Sequence, residues 1–364
     1  MRHRFHALCP YFAMFPETFV ERWVRRLTEP GDVVLDPFCG RGTSPFQALL
    51  MGRNAIGCDV NPVAYCISRA KTCAPAARSV RGRLTRLEKA FEPGDFTAEY
   101  AALPPFFHLA YAPTTLRQVL YLRAVLEPFA SDVDCMLAAL VLGALHGETE
   151  RSPVFLSNQM PHTIATKPEY SIRFWQARGF TAPRRDAFAL LRDRIGYRYA
   201  SAPPTARGLI VRSDMRKLDD SRGDWPGPVR CVITSPPYFD VTNFEEDQWL
   251  RLWFLGGPSH PTRRQVSTDD RYEDATKYWA MIADFWRMLG RTLATDAHVV
   301  VRIGARRLTP AELLAGLRET GSASDRRIDL VSNRTNEIRR RQTDAFRPGS
   351  TGCKVELDCH FRVH

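Results

Sequence analysis

The nine cysteines of this 364-residue chain include no Cys-x-x-Cys pair; they are scattered at 9, 39, 58, 66, 73, 135, 231, 353 and 359. An odd, dispersed set excludes a disulfide framework and a structural zinc site. His6 and Cys9 have a loose metal-like spacing, but two donors do not make a site, and no metal is expected. No apolar run approaches the roughly 20 residues of a membrane-spanning helix. The opening Met-Arg-His-Arg-Phe-His lacks the apolar core of a secretory signal, so a cytoplasmic location without membrane contact is expected. Hydrophobic residues make up 44% and charged residues 25%, the balance of a soluble globular protein. Acid is the scarcer charge, 40 residues against 51 basic ones, leaving a net +11. Arginine supplies most of the excess and suits bidentate phosphate contacts. A nucleic-acid partner accounts for this; so does a genome that favours arginine codons, and charge by itself does not choose.

The most informative stretch is Thr234-Ser235-Pro236-Pro237-Tyr238. It follows Val229–Ile233, a short β-branched run that predicts a buried strand. Two prolines end the strand, because they neither donate hydrogen bonds nor continue a ladder. A hydroxyl, a carbonyl without a ladder partner and an aromatic ring are thereby held just past a strand's carboxyl end. That is where open α/β sheets place their ligands. The set could grip a flat ring bearing an exocyclic amine, or it could be no more than a proline-terminated loop.

A second anchor lies near the start, at Asp-Val-Val-Leu-Asp-Pro-Phe-Cys-Gly-Arg-Gly-Thr, residues 32–43. Val33–Asp36 predicts a strand, and a helical pattern follows through 44–51. Gly40 and Gly42 allow a tight turn and close approach to a ligand. Asp36 at the strand end suits a cationic amine. Asp59, ending a second strand over 55–58, is placed to bind ribose hydroxyls. A nicotinamide dinucleotide is disfavoured, since the third glycine of that fingerprint is replaced by Pro45. An amine, a ribose and an adenine together fit S-adenosylmethionine.

With these motifs assembled, the chain resembles the DNA amino-methyltransferases. In that family Asp-Pro-Phe-x-Gly-x-Gly-Thr is the cofactor loop and Ser-Pro-Pro-Tyr the catalytic loop, the latter in the form associated with N4-cytosine methylation. Phe15-Pro16-Glu17, ahead of an amphipathic helix through Leu27, resembles the family's extra cofactor segment. Gly57-Cys58-Asp59-Val60-Asn61-Pro62 matches its acidic motif, and Asp214 after Val211-Arg212-Ser213 resembles the residue that binds the adenine amine. The resemblance covers about half the chain, on both sides of a long insertion. It implies a Rossmann-like α/β methyltransferase sheet with a largely helical insertion, S-adenosylmethionine as cofactor, and a flipped cytosine in double-stranded DNA as substrate. It implies cofactor contacts from Phe15, Pro16, Asp36, Pro37, Phe38, Gly40, Gly42, Thr43, Asp59, Asn61 and Asp214. It implies catalysis at Ser235, Pro236, Pro237 and Tyr238, with Tyr238 stacked on the base. N6-adenine methylation is the neighbouring alternative, and a non-catalytic cofactor- and DNA-binding protein the more distant one. The recognition sequence and the presence of a separately encoded restriction endonuclease stay open.

The expected organisation is a cofactor half over 1–74, a helical insertion over 75–205 and a catalytic half over 206–364. Helical spacing marks 81–91, 114–129 and the apolar 133–145. Residues 157–162 and 167–171 read as loops, followed by Arg173, Trp175, Arg178, Arg184 and Arg185. Basic residues interleaved with aromatics suit DNA contact, so the insertion is either a target-recognition region or a stabilising helical cap. Helices are predicted over 244–255, 278–293 and 310–318, and strands over 206–211, 298–303, 328–332 and 354–363. Trp249, Leu252, Trp253 and Leu255 form an apolar side expected in the core, and Cys231 should pack inside its strand. Arg339-Arg340-Arg341 with 346–350 is either a phosphate-gripping loop or a solvated charge run. His162 and Asp240 lie in loops within reach of proton chemistry, though a structural role is the expectation for each.

Overall fold

The structure, a computed structural model, describes residues 2–11, 15–147, 154–160, 166–240, 243–263, 265–266, 274–338, 353 and 355–364, with only the backbone of 221 and 222. His162, Arg339–Arg341 and 346–350 lie outside the described residues. In chain order the elements are α1 (Glu17–Leu27), β1 (Val33–Asp36), α2 (Thr43–Leu50), β2 (Asn54–Cys58), α3 (Pro62–Thr72), α4 (Ala77–Lys89), α5 (Thr97–Ala102), α6 (Pro105–Ala110), α7 (Pro113–Val125), α8 (Asp132–Leu142), α9 (Pro168–Arg178) and α10 (Ala187–Arg198). There follow β3 (Leu209–Val211), β4 (Val229–Thr234), α11 (Phe244–Asp247), α12 (Trp249–Phe254), α13 (Ala275–Thr292), β5 (Leu293–Gly304), α14 (Pro310–Gly321), β6 (Ile328–Glu337) and β7 (Val355–Val363).

The strands form one seven-stranded sheet in the order β3-β2-β1-β4-β5-β7-β6. The first five in that order pair in parallel, and β7 runs antiparallel to both β5 and β6. All four residues of β1 are buried, as befits a central parallel strand covered on both faces. Alternation splits them. Val33 and Leu35 join the core under α13 and α14, whereas Val34 joins the one under α1 and α2. A register shift between Val229 and Cys231 keeps the same division in β4, with Val232 on the first face and Cys231 and Ile233 on the second. Cys231 therefore packs in its strand as expected. All nine cysteines are buried free thiols.

The chain divides into two compact units, one comprising 1–12, 69–203 and 244–263 and the other 13–68, 204–243 and 264–364. The second holds the sheet. The first is built from helices and includes three segments, 1–12, 69–74 and 244–263, that lie outside the expected 75–205 insertion. Its core gathers Phe106, Phe107, Trp175, Trp249 and Trp253, with Trp249 packed edge-on to Phe106 at 5.1 Å. Two local expectations are corrected in this unit. Residues 168–171 start a helix rather than a loop, because Pro168 occupies the first turn, where no donor is missed. The single helix expected over 244–255 is two short ones separated at Gln248.

Candidate active site

The residues singled out in the sequence come from the carboxyl ends of adjacent strands in the sheet unit. Asp36 ends β1, and Pro37–Gly42 form the turn into α2. Gly40 and Gly42 both adopt left-handed φ, 51° and 70°. A Cβ on Gly42 would sit 2.6 Å from Ser68 Oγ, so only glycine fits there. Pro45 falls in the first turn of α2, where backbone donors have no helical partner. Thr43 is buried, and its Oγ1 accepts from the Arg41 guanidinium.

Asp59, past β2, fastens this turn: its Oδ2 accepts from the Gly40 amide at 2.8 Å and its Oδ1 from the Asn61 amide at 2.9 Å. Asn61 in turn caps α3, accepting from the Val63 amide at 2.9 Å. Asp214, past β3, accepts from the Arg216 backbone and guanidinium at 2.9 and 3.1 Å. Pro16 precedes α1, and Phe15 is buried against Phe19 with ring centroids 5.1 Å apart. Phe38 packs against Phe285 at 6.0 Å. A turn with two left-handed glycines and an acid at each neighbouring strand end fits a cofactor carrying a ribose and an amine.

Asp36 has a different setting from the one its motif implies. Only 2% of it is exposed. Its Oδ1 accepts from Thr234 Oγ1 at 2.6 Å and from the Phe38 amide at 3.2 Å, and its Oδ2 from Ser44 Oγ at 2.8 Å. Ser44 Oγ also reaches the Ile233 carbonyl at 2.9 Å. Burial pushes the Asp36 carboxyl up to about 6 despite these hydroxyls. The carboxylate thus faces inward and ties the glycine turn to the residue just before the Ser-Pro-Pro-Tyr loop.

The Ser-Pro-Pro-Tyr loop leaves β4 after Thr234. Ser235 and Pro237 keep partial exposure, while Pro236 and Tyr238 are buried. Tyr238 is 8% exposed, so a base stack on its ring requires its present cover to move. The tyrosine hydroxyl donates to Glu356 Oε1 of β7 at 2.8 Å and interacts with the Ser235 side chain. Burial and the Glu356 charge hold the Tyr238 phenol well above its usual range, so it stays protonated. Arg302 of β5 grips Asp358 with two bonds of 2.6 and 2.8 Å, approaches Glu356 at 3.4 Å, and lies over the Phe19 ring at 4.1 Å. Gly304, ending β5, makes room for the tyrosine; a Cβ there would stand 2.8 Å from its ring. Asp240 closes the loop in a left-handed conformation, φ 59°, paired with Arg306 and Arg307 at 2.7 and 2.9 Å. Glu356, Arg302 and Gly304 carry no motif; alternating acids at 356 and 358 opposite an arginine on the next strand are the one signal that points to them.

A family model described as DNA methylase matches residues 3–69. Over residues 3–69, about a fifth of its length, the chain is thus similar to that family. The Type II methyltransferase M.MjaII of Methanocaldococcus jannaschii is 38% identical over 66 residues, 18% of this chain and 12% of that protein. The Type II methyltransferase M1.MboII of Moraxella bovis is 48% identical over 46 residues, 13% of this chain and 18% of its own length. The chain thus spans less than a fifth of the length of these relatives. Among solved structures, the rRNA methyltransferase aviRa from Streptomyces viridochromogenes overlays with a TM-score of 0.33 at 15% identity, over 97% of this chain and 87% of that one. The sheet order, rather than this overlay, defines the Rossmann-like α/β fold here. No described helix is long and apolar enough to cross a membrane.

Proposed function

We propose that this protein is a DNA methyltransferase that modifies the exocyclic N4 amine of a cytosine flipped out of double-stranded DNA. S-adenosylmethionine, when bound, supplies an electrophilic methyl group on a sulfonium. The reading is carried by one observation: a partly exposed serine opens a Pro-Pro loop at the end of β4, and its preceding threonine is bonded to the acid of the neighbouring glycine turn.

The amine is a poor nucleophile because its lone pair is delocalised into the ring. Ser235 Oγ and the Pro236 carbonyl accept its two hydrogens and draw the nitrogen toward a tetrahedral geometry. Such contacts strengthen as charge develops, which is what accelerates a step. Gly40, Gly42, Thr43, Asp59 and Asp214 hold the cofactor, with Pro37 and Phe38 shaping its turn and Phe15, Pro16 and Asn61 supporting from behind. Holding amine and methyl in line supplies a large share of the rate. The target atom is hidden in stacked duplex, so the base is extruded, at a cost of a few kcal/mol offset by phosphate contacts. The helical unit, with Arg173 exposed and Arg178 over the Phe174 ring at 4.0 Å, is the candidate target reader. Trp175 is core there, 0% exposed, and is not a stacking residue.

Incubation with labelled cofactor and duplex DNA should yield N4-methylcytosine among the product nucleosides. Label found only in N6-methyladenine would overturn the base assignment. Ser235→Ala should lower turnover about a hundredfold while cofactor affinity holds.

A further inference from the structure

We infer that Tyr238 and Glu356 form a proton relay that carries the proton released by the methylated amine from Ser235 to solvent. The inference rests on the amine-methylation reading. As the new N–C bond forms and the S–C bond breaks, the amine nitrogen gains a positive charge and must lose one of its hydrogens. Ser235 Oγ takes that hydrogen and passes its own to the Tyr238 oxygen. Tyr238 passes its phenolic proton to the Glu356 carboxylate, and the carboxylic acid then releases it to water. One proton enters the chain and one leaves it. Serine and tyrosine end as they began, apart from the reversed direction of their hydrogen bonds.

Three features of the structure support this. Tyr238 donates to Glu356 Oε1 at 2.8 Å, and the Ser235 side chain, three residues back on the same loop, interacts with the same phenol. The middle of the chain is dry and the end is wet, since Tyr238 is 8% exposed whereas the Glu356 side chain is 23% exposed. Finally, the ring is wedged: Gly304 leaves the space it fills, and Phe239 pairs with Ala305 just beyond. Burial beside Glu356 keeps the phenol protonated, so its proton leaves as another arrives and no charge rests on the tyrosine. Arg302, the nearby cation, gives its two short bonds to Asp358 and reaches Glu356 at 3.4 Å. Glu356 is therefore held in place without its accepting oxygen being covered by a guanidinium.

The test compares Glu356→Gln, Tyr238→Phe and the double variant in single-turnover methylation of a duplex, with calorimetric affinities for cofactor and duplex measured alongside. Each single variant should slow transfer about a hundredfold. Both affinities should stay within about twofold of the wild type. A chain broken twice is no slower than a chain broken once, so the double variant should match the singles. Wild-type rates in Glu356→Gln, or losses that multiply in the double variant, would overturn the relay. Should Glu356→Gln fail to fold, Tyr238→Phe, which removes a single oxygen, decides by its own rate. No transfer by the wild-type protein would instead remove the methylation reading beneath it.

Discussion

The sheet has two halves that divide the chemistry unequally. On the side of β3, β2, β1 and β4, each strand ends in, or is followed within three residues by, a motif residue: Asp214, Asp59, Asp36 and Ser235. On the side of β5 and β7 no motif appears, yet Gly304 seats the Tyr238 ring and Glu356 receives its hydroxyl. The first half carries the motif residues at its strand ends, and the second fixes the posture of the Ser-Pro-Pro-Tyr loop. A site's reactive atoms are therefore easier to find in a sequence than the atoms that aim them.

Changes on either side test that division. Gly304→Ala pushes a methyl into the Tyr238 ring; overpacking of this kind costs about 2 kcal/mol. It should lower both the urea midpoint and turnover, whereas a fall in stability alone would make β5 mere scaffold. On the motif side, Thr234→Val removes the 2.6 Å bond to Asp36 while keeping the side chain's shape. A lost hydrogen bond to a charged group is worth about 1.5 kcal/mol. Turnover should drop more than cofactor affinity, and Thr234→Ser should restore it.

Asp36 also marks the comparison through pH. Its folded carboxyl titrates near 6 rather than 3.8, so the folded protein holds the proton more tightly than the unfolded chain. Its contribution to stability is full at low pH and is lost as pH rises through 6. Asp36→Asn should therefore gain about 1.4 kcal/mol on the wild type between roughly pH 5 and pH 8 in urea denaturation. A gap between the two proteins that does not change with pH would place the carboxylate in a more polar setting than the one described. Smallest is Arg302→Lys, which loses the forked grip on Asp358 and should cost about 1 kcal/mol in thermal unfolding.

Much of this was legible beforehand because β-branched runs stopped by Asp-Pro or Ser-Pro-Pro announce buried strands and their ligand ends. Asp36 shows the limit. Its motif marks it as a cofactor contact, but Thr234 lies 198 positions away, and the pairing that turns the carboxylate inward is set by sheet order rather than by neighbours in sequence. Pro168 misled for the opposite reason, since proline is a helix breaker inside and a helix opener at the first turn. Glu356 was invisible because a lone acid on an alternating strand normally faces water.

The buried cysteines have a practical consequence. Every native thiol is covered, and Cys39 and Cys58 flank the glycine turn with their thiols held above the usual range by burial. Reagents that attack thiolates should leave the resting protein unmodified, so each labelling event times an opening of the structure. Labelling at positions 39 and 58 would then act as a local clock for the glycine turn, slowing as a ligand closes it. A single cysteine introduced at exposed Val154 would be the one fast-reacting handle against that silent background.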